Sequence, residues 1–321
     1  MRWVVYGAGA VGGVLGARLH DAGCDVVLVA RGQHLEAIRR DGLTLASPEG
    51  TRTLPVPAVG TAAKIDLDGP ATVLLAVKSH QTQAAIEDLA GALDPRTPVV
   101  SVQNGVANEP TLLRFFADVH GVCVMMPTGH LEPGVVEAHS SPVPGILDVG
   151  RYPAGTGATT QAVAGAFRSA GFESQPRADI MAWKHRKLLM NLGNAVQACC
   201  GTGDAAAELA ERARAEGEEV LSAAGIAVVS AETDRQRRGD ILHIGEVPGR
   251  GRHGGSSWQS LRRGTRTIES DYLNGEVVLL GRLHGHATPV NELLRRTAVQ
   301  MAREGAEPGS SAASDLLRAL S

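Results

Sequence analysis

The sequence predicts a two-part α/β protein: an N-terminal domain built on a doubly wound, mainly parallel sheet, and an all-α C-terminal domain. Three observations carry this expectation. A short apolar run, Trp3 to Tyr6, meets Gly7-Ala8-Gly9-Ala10-Val11-Gly12, and Val11 to Ala22 then has helical apolar spacing. Further apolar runs of strand length alternate with helical patterns as far as Gly171. From Ile180 onward the patterns are helical, with no convincing strand. The boundary is therefore expected near Gln175 to Asp179, giving domains over residues 1–176 and 177–321.

The opening stretch organises the first domain. Gly7 permits a tight turn, Gly9 lets backbone amides approach a pyrophosphate, and Gly12 lets helix and strand pack closely. The helix that follows contributes unpaired N–H groups and a partial positive charge where phosphates would lie. A Gly-x-Gly-x-x-Gly pattern alone is a weak signal. One that follows a strand, opens a helix and stands almost at residue 1 reads as a Rossmann dinucleotide site over Gly7, Ala8, Gly9, Ala10, Val11 and Gly12. A glycine-rich turn in a non-binding domain is the alternative.

The end of the second strand bears on which dinucleotide. Asp25 to Val29 follows Gly23, an expected helix C-cap, and ends at Ala30-Arg31-Gly32. An NAD-preferring site carries an acid about twenty residues past the glycines, bonded to the ribose 2′-hydroxyl. Ala30 stands where that acid is expected, and Arg31 follows it. A guanidinium suits a 2′-phosphate, so the expected cofactor is NADP(H). A solvated surface arginine is the competing reading of Arg31.

Gln33 to Asp41 reads as a helix, and Leu43 to Ala46 with Thr51 to Val56 as a small antiparallel pair around Pro48-Glu49-Gly50. Thr72 to Val77 is the next buried strand, running into Lys78-Ser79-His80-Gln81 before a helix from Thr82 to Leu93. Val99 to Val102 is another, ending at Gln103-Asn104-Gly105. Ligands of open parallel sheets collect outside the carboxyl ends of the strands, which is where Lys78 and Asn104 stand. Lys78 suits a phosphate or carboxylate, and Asn104 the nicotinamide ribose or a substrate. Asn-Gly is equally an ordinary turn pair, and the local sequence does not decide. Strands over His120 to Met126, Val135 to Ala138 and Gly145 to Val149, a helix over Thr159 to Ala170 and a short strand after Gly171 complete the domain.

The second domain opens with a helix from Trp183 to Asn194 on which Lys187, Asn191 and Asn194 share one face. Asparagine is a poor helix former, so two of them beside a lysine are odd for a purely structural helix. A solvated stripe is one reading. The surrounding Leu188, Leu189 and Leu192 favour the other, polar groups facing a cleft. Ala205 to Ala224, closed by Gly225, and Ala231 to Asp240 are further helices. An Arg/Gly-rich stretch, Arg235 to Gly255, reads as too loose for a regular element and leads into Ser256-Ser257-Trp258. Glu269, Asp271 and Asn274-Gly275-Glu276 follow, then a last helix from Val290 to Ala302 after Pro289. The polar tail from Gly305 is expected to fray.

Composition narrows the class. With 321 residues the chain fits two domains, and a net charge of −3 gives no nucleic-acid surface. No apolar run is long enough to span a membrane, and Met1 enters the first strand almost at once, so a cytoplasmic protein is expected. Cys24, Cys123, Cys199 and Cys200 lack zinc-like spacing and are expected to stay reduced; no metal site is expected. Only four of the 31 basic residues are lysines, Lys64, Lys78, Lys184 and Lys187, which makes each worth a question, since an ammonium can surrender its proton and a guanidinium cannot.

These motifs together resemble the ketopantoate reductase (2-dehydropantoate 2-reductase) family over nearly the whole chain. The matching residues are the glycine turn, Val77-Lys78 with Gln81, Gln103-Asn104-Gly105, Lys187 with Asn191, Ser256-Ser257, and Glu269-x-Asp271-x-x-Asn274-Gly275. The resemblance implies a Rossmann domain joined to a helical domain, 6-phosphogluconate-dehydrogenase-like, with the site in the cleft between them. It implies reduction of a 2-oxo acid by NADPH, with Lys187 as catalytic acid and Lys78 and Asn104 at the cofactor. Asn191 and Ser257 would touch substrate, and Glu269 would lie near the nicotinamide end. A homodimer through the helical domain is an open expectation.

The chain departs from the family pattern at Ala195, where the family carries a second substrate asparagine that the neighbouring Asn194 could replace, and at Gly203-Asp204-Ala205, where a further asparagine has no match. The hydride chemistry is unaffected, but the identity of the acid is left open. Reduction of another ketone or an imine on the same scaffold, and a non-catalytic NADP(H)-binding sensor, are the alternatives.

Overall fold

Strand β1 (Arg2–Tyr6) lies inside a seven-stranded sheet because residues on both of its faces are apolar. In this computed structural model, which describes residues 1–251 and 254–320, Trp3 and Val5 point into one core with Leu28 and Leu74. Val4 points into the other with Val27, Val73 and Leu75. Helix α1 (Ala10–Asp21) follows, then β2 (Val26–Val29), α2 (Gly32–Asp41), the hairpin β3 (Leu43–Ser47) and β4 (Gly50–Leu54), and the short β5 (Ala58–Val59). Next come β6 (Ala71–Leu75), α3 (Thr82–Ala90), β7 (Val99–Ser101), α4 (Asn108–Leu112) and β8 (Val119–Met125). The unit continues with β9 (Thr128–Gly129), β10 (Val135–Ala138), β11 (Ile146–Arg151) and α5 (Ala158–Ser169).

The main sheet has the order β11-β8-β7-β6-β1-β2-β5 and is parallel except for β11 at its edge. Helices α1 and α5 supply Leu15, Leu19, Val163 and Phe167 to one face, and α3 and α4 supply Ile86, Leu89 and Leu112 to the other. The expected hairpin is part of a second sheet, β4-β3-β10-β9, in which β10 pairs parallel to β3. Helix α1 serves both sheets through adjacent glycines. A Cβ at Gly12 would collide with the Gly7 carbonyl and Ala76, and one at Gly13 would meet Val136 Cγ1 at 2.5 Å. The short strand expected after Gly171 is reduced to isolated bridges, Glu173 to Ile146 and Pro176 to Val149.

The chain divides into two units. The α/β unit comprises Met1–Asn104, Asn108–Lys184 and Glu232–Arg252; the helical unit comprises Gly105–Ala107, His185–Ala231 and His253–Ser321. The helical unit holds the later part of α6 (Ile180–Asn191), α7 (Gly193–Cys200), α8 (Asp204–Ala223), α10 (Ser256–Arg262), α11 (Asn274–His284), α12 (Pro289–Glu304) and α13 (Ala313–Arg318); α9 (Ala231–Arg238) precedes α10. Gly217 on α8 allows close approach, since a Cβ there would lie 2.8 Å from both Leu189 and Leu192.

Between α9 and α10 the Arg/Gly-rich stretch forms no helix or strand among the described residues, as expected, but it is not untethered: its arginines meet buried carboxylates of the α/β unit. Arg237 grips Asp148 with two bonds of 2.9 and 2.8 Å, Arg177 reaches the same carboxylate at 3.1 Å, and Arg250 bonds Glu137 at 2.9 Å. The part of the stretch at residues 252 and 253 lies outside the described residues. Contrary to expectation, the tail does not fray. Gly309 and Ser311 donate their amides to Ala198 and Cys199 at 2.9 Å each, satisfying carbonyls of the last turn of α7. Among the described residues no helix is long and apolar enough to cross a membrane.

Candidate active site

A cavity of about 380 Å³ opens at the carboxyl ends of β1, β2 and β6, lined by Gly7, Ala8, Gly9, Arg31, Lys78 and Gln81 among others. Backbone geometry explains the glycines. Gly7 has φ +101°, and a Cβ there would lie 2.7 Å from Val77 Cγ1, whereas Gly9 faces open space with no atom within 4 Å. No side chain caps α1, so the amides of Ala10, Val11 and Gly12 in its first turn are not taken by a capping group. Arg31 is exposed directly after β2, and its guanidinium makes no hydrogen bond or ion pair among the described residues. Lys78 is half-buried at the end of β6. The glycine turn, Arg31 and Lys78 are thus brought to one cavity.

Three further residues of this cavity escape sequence reasoning. His34 accepts the Gly134 amide at Nδ1 (2.8 Å), so its Nε2 carries the proton and donates to the Ala8 carbonyl (2.7 Å). Burial pushes the His34 pKa below its ordinary 6.5. Tyr6 donates its hydroxyl to Asp88 at 2.8 Å, and burial followed by that bond pushes the phenol above its usual range. Asp88 also accepts the Ala62 amide at 2.8 Å. A histidine in the first turn after Arg31 was the one available signal; the Tyr6–Asp88 contact spans 82 residues and left none. Asn104 is half-buried and does not line this cavity; its carbonyl accepts from Asn108 Nδ2 at 3.3 Å.

In the helical unit Lys187 and Asn191 lie one turn apart on α6, the lysine half-buried and the asparagine buried. Asn194 does not continue their helix. Helix α6 ends at Asn191 and α7 begins at Gly193, with Leu192 between them still in helical geometry (φ −60°, ψ −32°). At this step Asn274 Nδ2 donates to the Leu192 carbonyl at 3.2 Å. Asn194 instead lies beside Gly255, whose amide donates to Gln197 Oε1 at 2.7 Å. Helix α10 packs on α7 and starts with Ser256 and Ser257. The Ser257 hydroxyl is buried and has no hydrogen-bond partner among the described residues. Glu269 is buried near Arg263; burial lowers that guanidinium's pKa, and the charge of Glu269 opposes the shift.

Known proteins match the chain over most of its length. Residues 3–154 match the family described as ketopantoate reductase PanE/ApbA, and residues 179–301 match its C-terminal counterpart. A 2-dehydropantoate 2-reductase of Halobacterium salinarum is 31% identical over 320 residues, covering 95% of this chain and 100% of the relative. One from Mesorhizobium japonicum is 32% identical, covering 94% of this chain and 98% of the relative. Among solved structures, a PanE/ApbA family ketopantoate reductase of Ralstonia eutropha JMP134 superposes with a TM-score of 0.79 at 28% identity, covering 95% of this chain and 99% of its own. A D-mandelate dehydrogenase bound to NADH and anilino(oxo)acetate shares the fold, with a TM-score of 0.81 at 22% identity and coverage of 95% and 99%. With both halves matched in order and the curated relatives covered end to end, the chain belongs to the ketopantoate reductase family and is an oxidoreductase.

Proposed function

We propose that the protein reduces the ketone of a 2-oxo acid, ketopantoate or a close analogue, using NADPH, with Lys187 as general acid. The observation that carries this reading is the half-buried Lys187 one turn from the buried Asn191, in a chain whose other unit holds a cavity suited to a phosphorylated dinucleotide. The cavity fits the cofactor on three counts: open space at Gly9, uncapped amides at the start of α1, and the cations Arg31 and Lys78 in its lining. Arg31 would hold the 2′-phosphate and Lys78 a phosphate or carboxylate, while Asn104 would bond the nicotinamide ribose. When bound, the cofactor supplies the hydride.

The chain's own task is to orient the acid and to manage one proton. Lys187 Nζ stabilises the charge that develops on the ketone oxygen and donates the proton that completes the hydroxyl. Asn191 and Asn194 offer neutral donors to carboxylate and hydroxyl oxygens. The orphaned Ser257 hydroxyl is a third such group, because a buried polar atom without a partner is costly and a bound oxygen would relieve it. Glu269 would hold a substrate hydroxyl or keep Lys187 charged before substrate arrives.

Oxidation of NADPH across a panel of 2-oxo acids tests the proposal. Turnover with ketopantoate or another branched 2-oxo acid is expected, and no turnover with any acceptor would sink it in favour of a binding role. A second reading, an acceptor other than ketopantoate, is favoured by the apolar Ala195, 1% exposed on α7, where the resemblance led us to expect an asparagine.

A further inference from the structure

Of the four lysines, Lys184 is the most deeply enclosed: it is 2% exposed, donates to two backbone carbonyls and is ion-paired to a carboxylate. Its Nζ reaches the Gln103 carbonyl at 2.8 Å, the Val122 carbonyl at 3.2 Å and Glu109 Oε1 at 2.7 Å, with Glu109 wholly buried. A surface cation has no such arrangement, and an ammonium enclosed this deeply has no access to a substrate.

What Lys184 holds is the strand end that carries Asn104. The Gln103 carbonyl it grips belongs to the preceding residue. The Gln103 side chain then donates to the Val77 carbonyl and to Thr82 Oγ1, both at 2.9 Å. Thr82 donates onward to Asn108 Oδ1 at 2.9 Å, and Asn108 Nδ2 reaches Ser79 Oγ at 3.2 Å and the Asn104 carbonyl at 3.3 Å. Both neighbours of Lys78, namely Val77 and Ser79, and the backbone on both sides of the Asn104 side chain are therefore bonded into one buried polar set. In so buried a setting each of these bonds is strengthened by the low local dielectric and is costly to break.

We propose that Lys184, charge-balanced by Glu109, is a positioning residue that fixes Asn104 and Lys78 in register with each other for coenzyme binding. The inference rests on the reading of Asn104 and Lys78 as coenzyme contacts. Arginine would not substitute, since its planar fork cannot direct three donors around one compact centre.

The test is a mutant cycle read by coenzyme affinity, titrated through NADPH fluorescence, so it needs no knowledge of the acceptor. Lys184→Met combined with Glu109→Gln removes both buried charges together at nearly constant volume, avoiding an unpaired buried charge. This pair should weaken NADPH binding by roughly threefold to tenfold, the scale of one net hydrogen bond. Asn104→Ala should then cost less in that background than in the parent, because the asparagine is already out of register. If the pair does not fold, Lys184→Gln with Glu109→Gln decides the same comparison, with circular dichroism confirming the fold.

Strictly additive effects in folded protein, affinity within a factor of two of the parent, or an Asn104→Ala variant that binds NADPH normally would each overturn the proposal. A parent that binds NADPH but reduces no 2-oxo acid would remove the proposed function and leave this test intact.

Discussion

Asn274 donates from one amide nitrogen to the Leu192 carbonyl at 3.2 Å, at the step between α6 and α7, and to Asn291 Oδ1 at 2.9 Å. Asn291 in turn donates to the Ala213 carbonyl at 2.9 Å and to Glu216 at 2.8 Å. Glu216 also accepts the Val290 and Asn291 amides at the start of α12, at 3.0 and 2.9 Å. The Asn-Gly pair that closes the Glu269 motif therefore ties three helices to the point where the proposed substrate residues change helix.

Asn274→Ala should accordingly destabilise the protein by about 1–3 kcal/mol, the range for leaving buried partners unsatisfied. Asn274→Asp should cost more, because it places a carboxylate against Asn291 Oδ1 and a carbonyl. Urea unfolding measures both. A change under about 0.5 kcal/mol for the alanine variant, the level of an unconnected surface substitution, would show the network to be incidental.

How much of this was legible in the sequence depended on the range of the determining contact. The glycine turn, the strands after it and the long helices over α8 and α12 are set by local periodicity, and they are found where the pattern put them. The parallel pairing of β10 with β3 joins residues some ninety positions apart and left no local trace. The bond accepted by Leu192 between α6 and α7 left no local trace for the same reason, since its donor is Asn274. Arginines of the 235–255 stretch read as a loose charged run because Asp148 and Glu137, which neutralise them, lie far away in sequence. Lys184 was flagged by composition alone, and only burial separates it from Lys187.

The tautomer of His34 gives a pH prediction. Burial lowers its folded-state pKa, so the folded chain binds fewer protons than the unfolded chain once pH drops below the ordinary 6.5. The stabilising contribution is therefore complete above that value and is lost as pH falls towards the folded-state pKa. Protonation at Nδ1 also repels the Gly134 amide and loosens the tie to Ala8 in the glycine turn. Burial lowers His120 in the same direction despite its Asp118 partner, so the parent alone cannot apportion the effect. Urea midpoints at pH 7.5 and 5.5 should differ less in His34→Ala than in the parent. An unchanged difference would assign the dependence to His120.

Arg31 makes the coenzyme preference testable. Arg31→Ala should weaken NADPH by about 1.5–3 kcal/mol, the range for hydrogen bonds to charged groups, and hardly affect NADH. The guanidinium has no hydrogen-bond or ion-pair partner among the described residues, so its removal should leave the melting temperature near the parent value. Equal weakening of both coenzymes would mean that Arg31 supports the loop between β2 and α2 rather than reading the phosphate.

For Lys187, replacement by alanine should lower turnover by roughly 10²–10⁴-fold, the usual span for a general acid, with NADPH affinity near normal. Lys187→Arg should not rescue, because a guanidinium keeps its proton and has a different shape. Near-normal turnover in the alanine variant would remove Lys187 from the chemistry and turn attention to Lys78.

The proposed part of Asn194 in choosing the acceptor is testable. It stands on α7 rather than α6, beside the Gly255 turn that leads into Ser257, so two of the proposed substrate donors ride on packed neighbours. A site that bonds a substrate hydroxyl rejects an acid lacking it far better than a site that merely has room for one. Asn194→Ala should therefore lower kcat/KM for ketopantoate relative to a 2-oxo acid without the hydroxyl, by about 0.5–1.5 kcal/mol if one net hydrogen bond is lost. The ratio of the two kcat/KM values is the measurement to use, since altered folding or coenzyme affinity moves both acids together. An unchanged ratio would make Asn194 a packing partner of the turn and transfer the discrimination to Asn191 and Ser257, where Ser257→Ala should then lower the ratio.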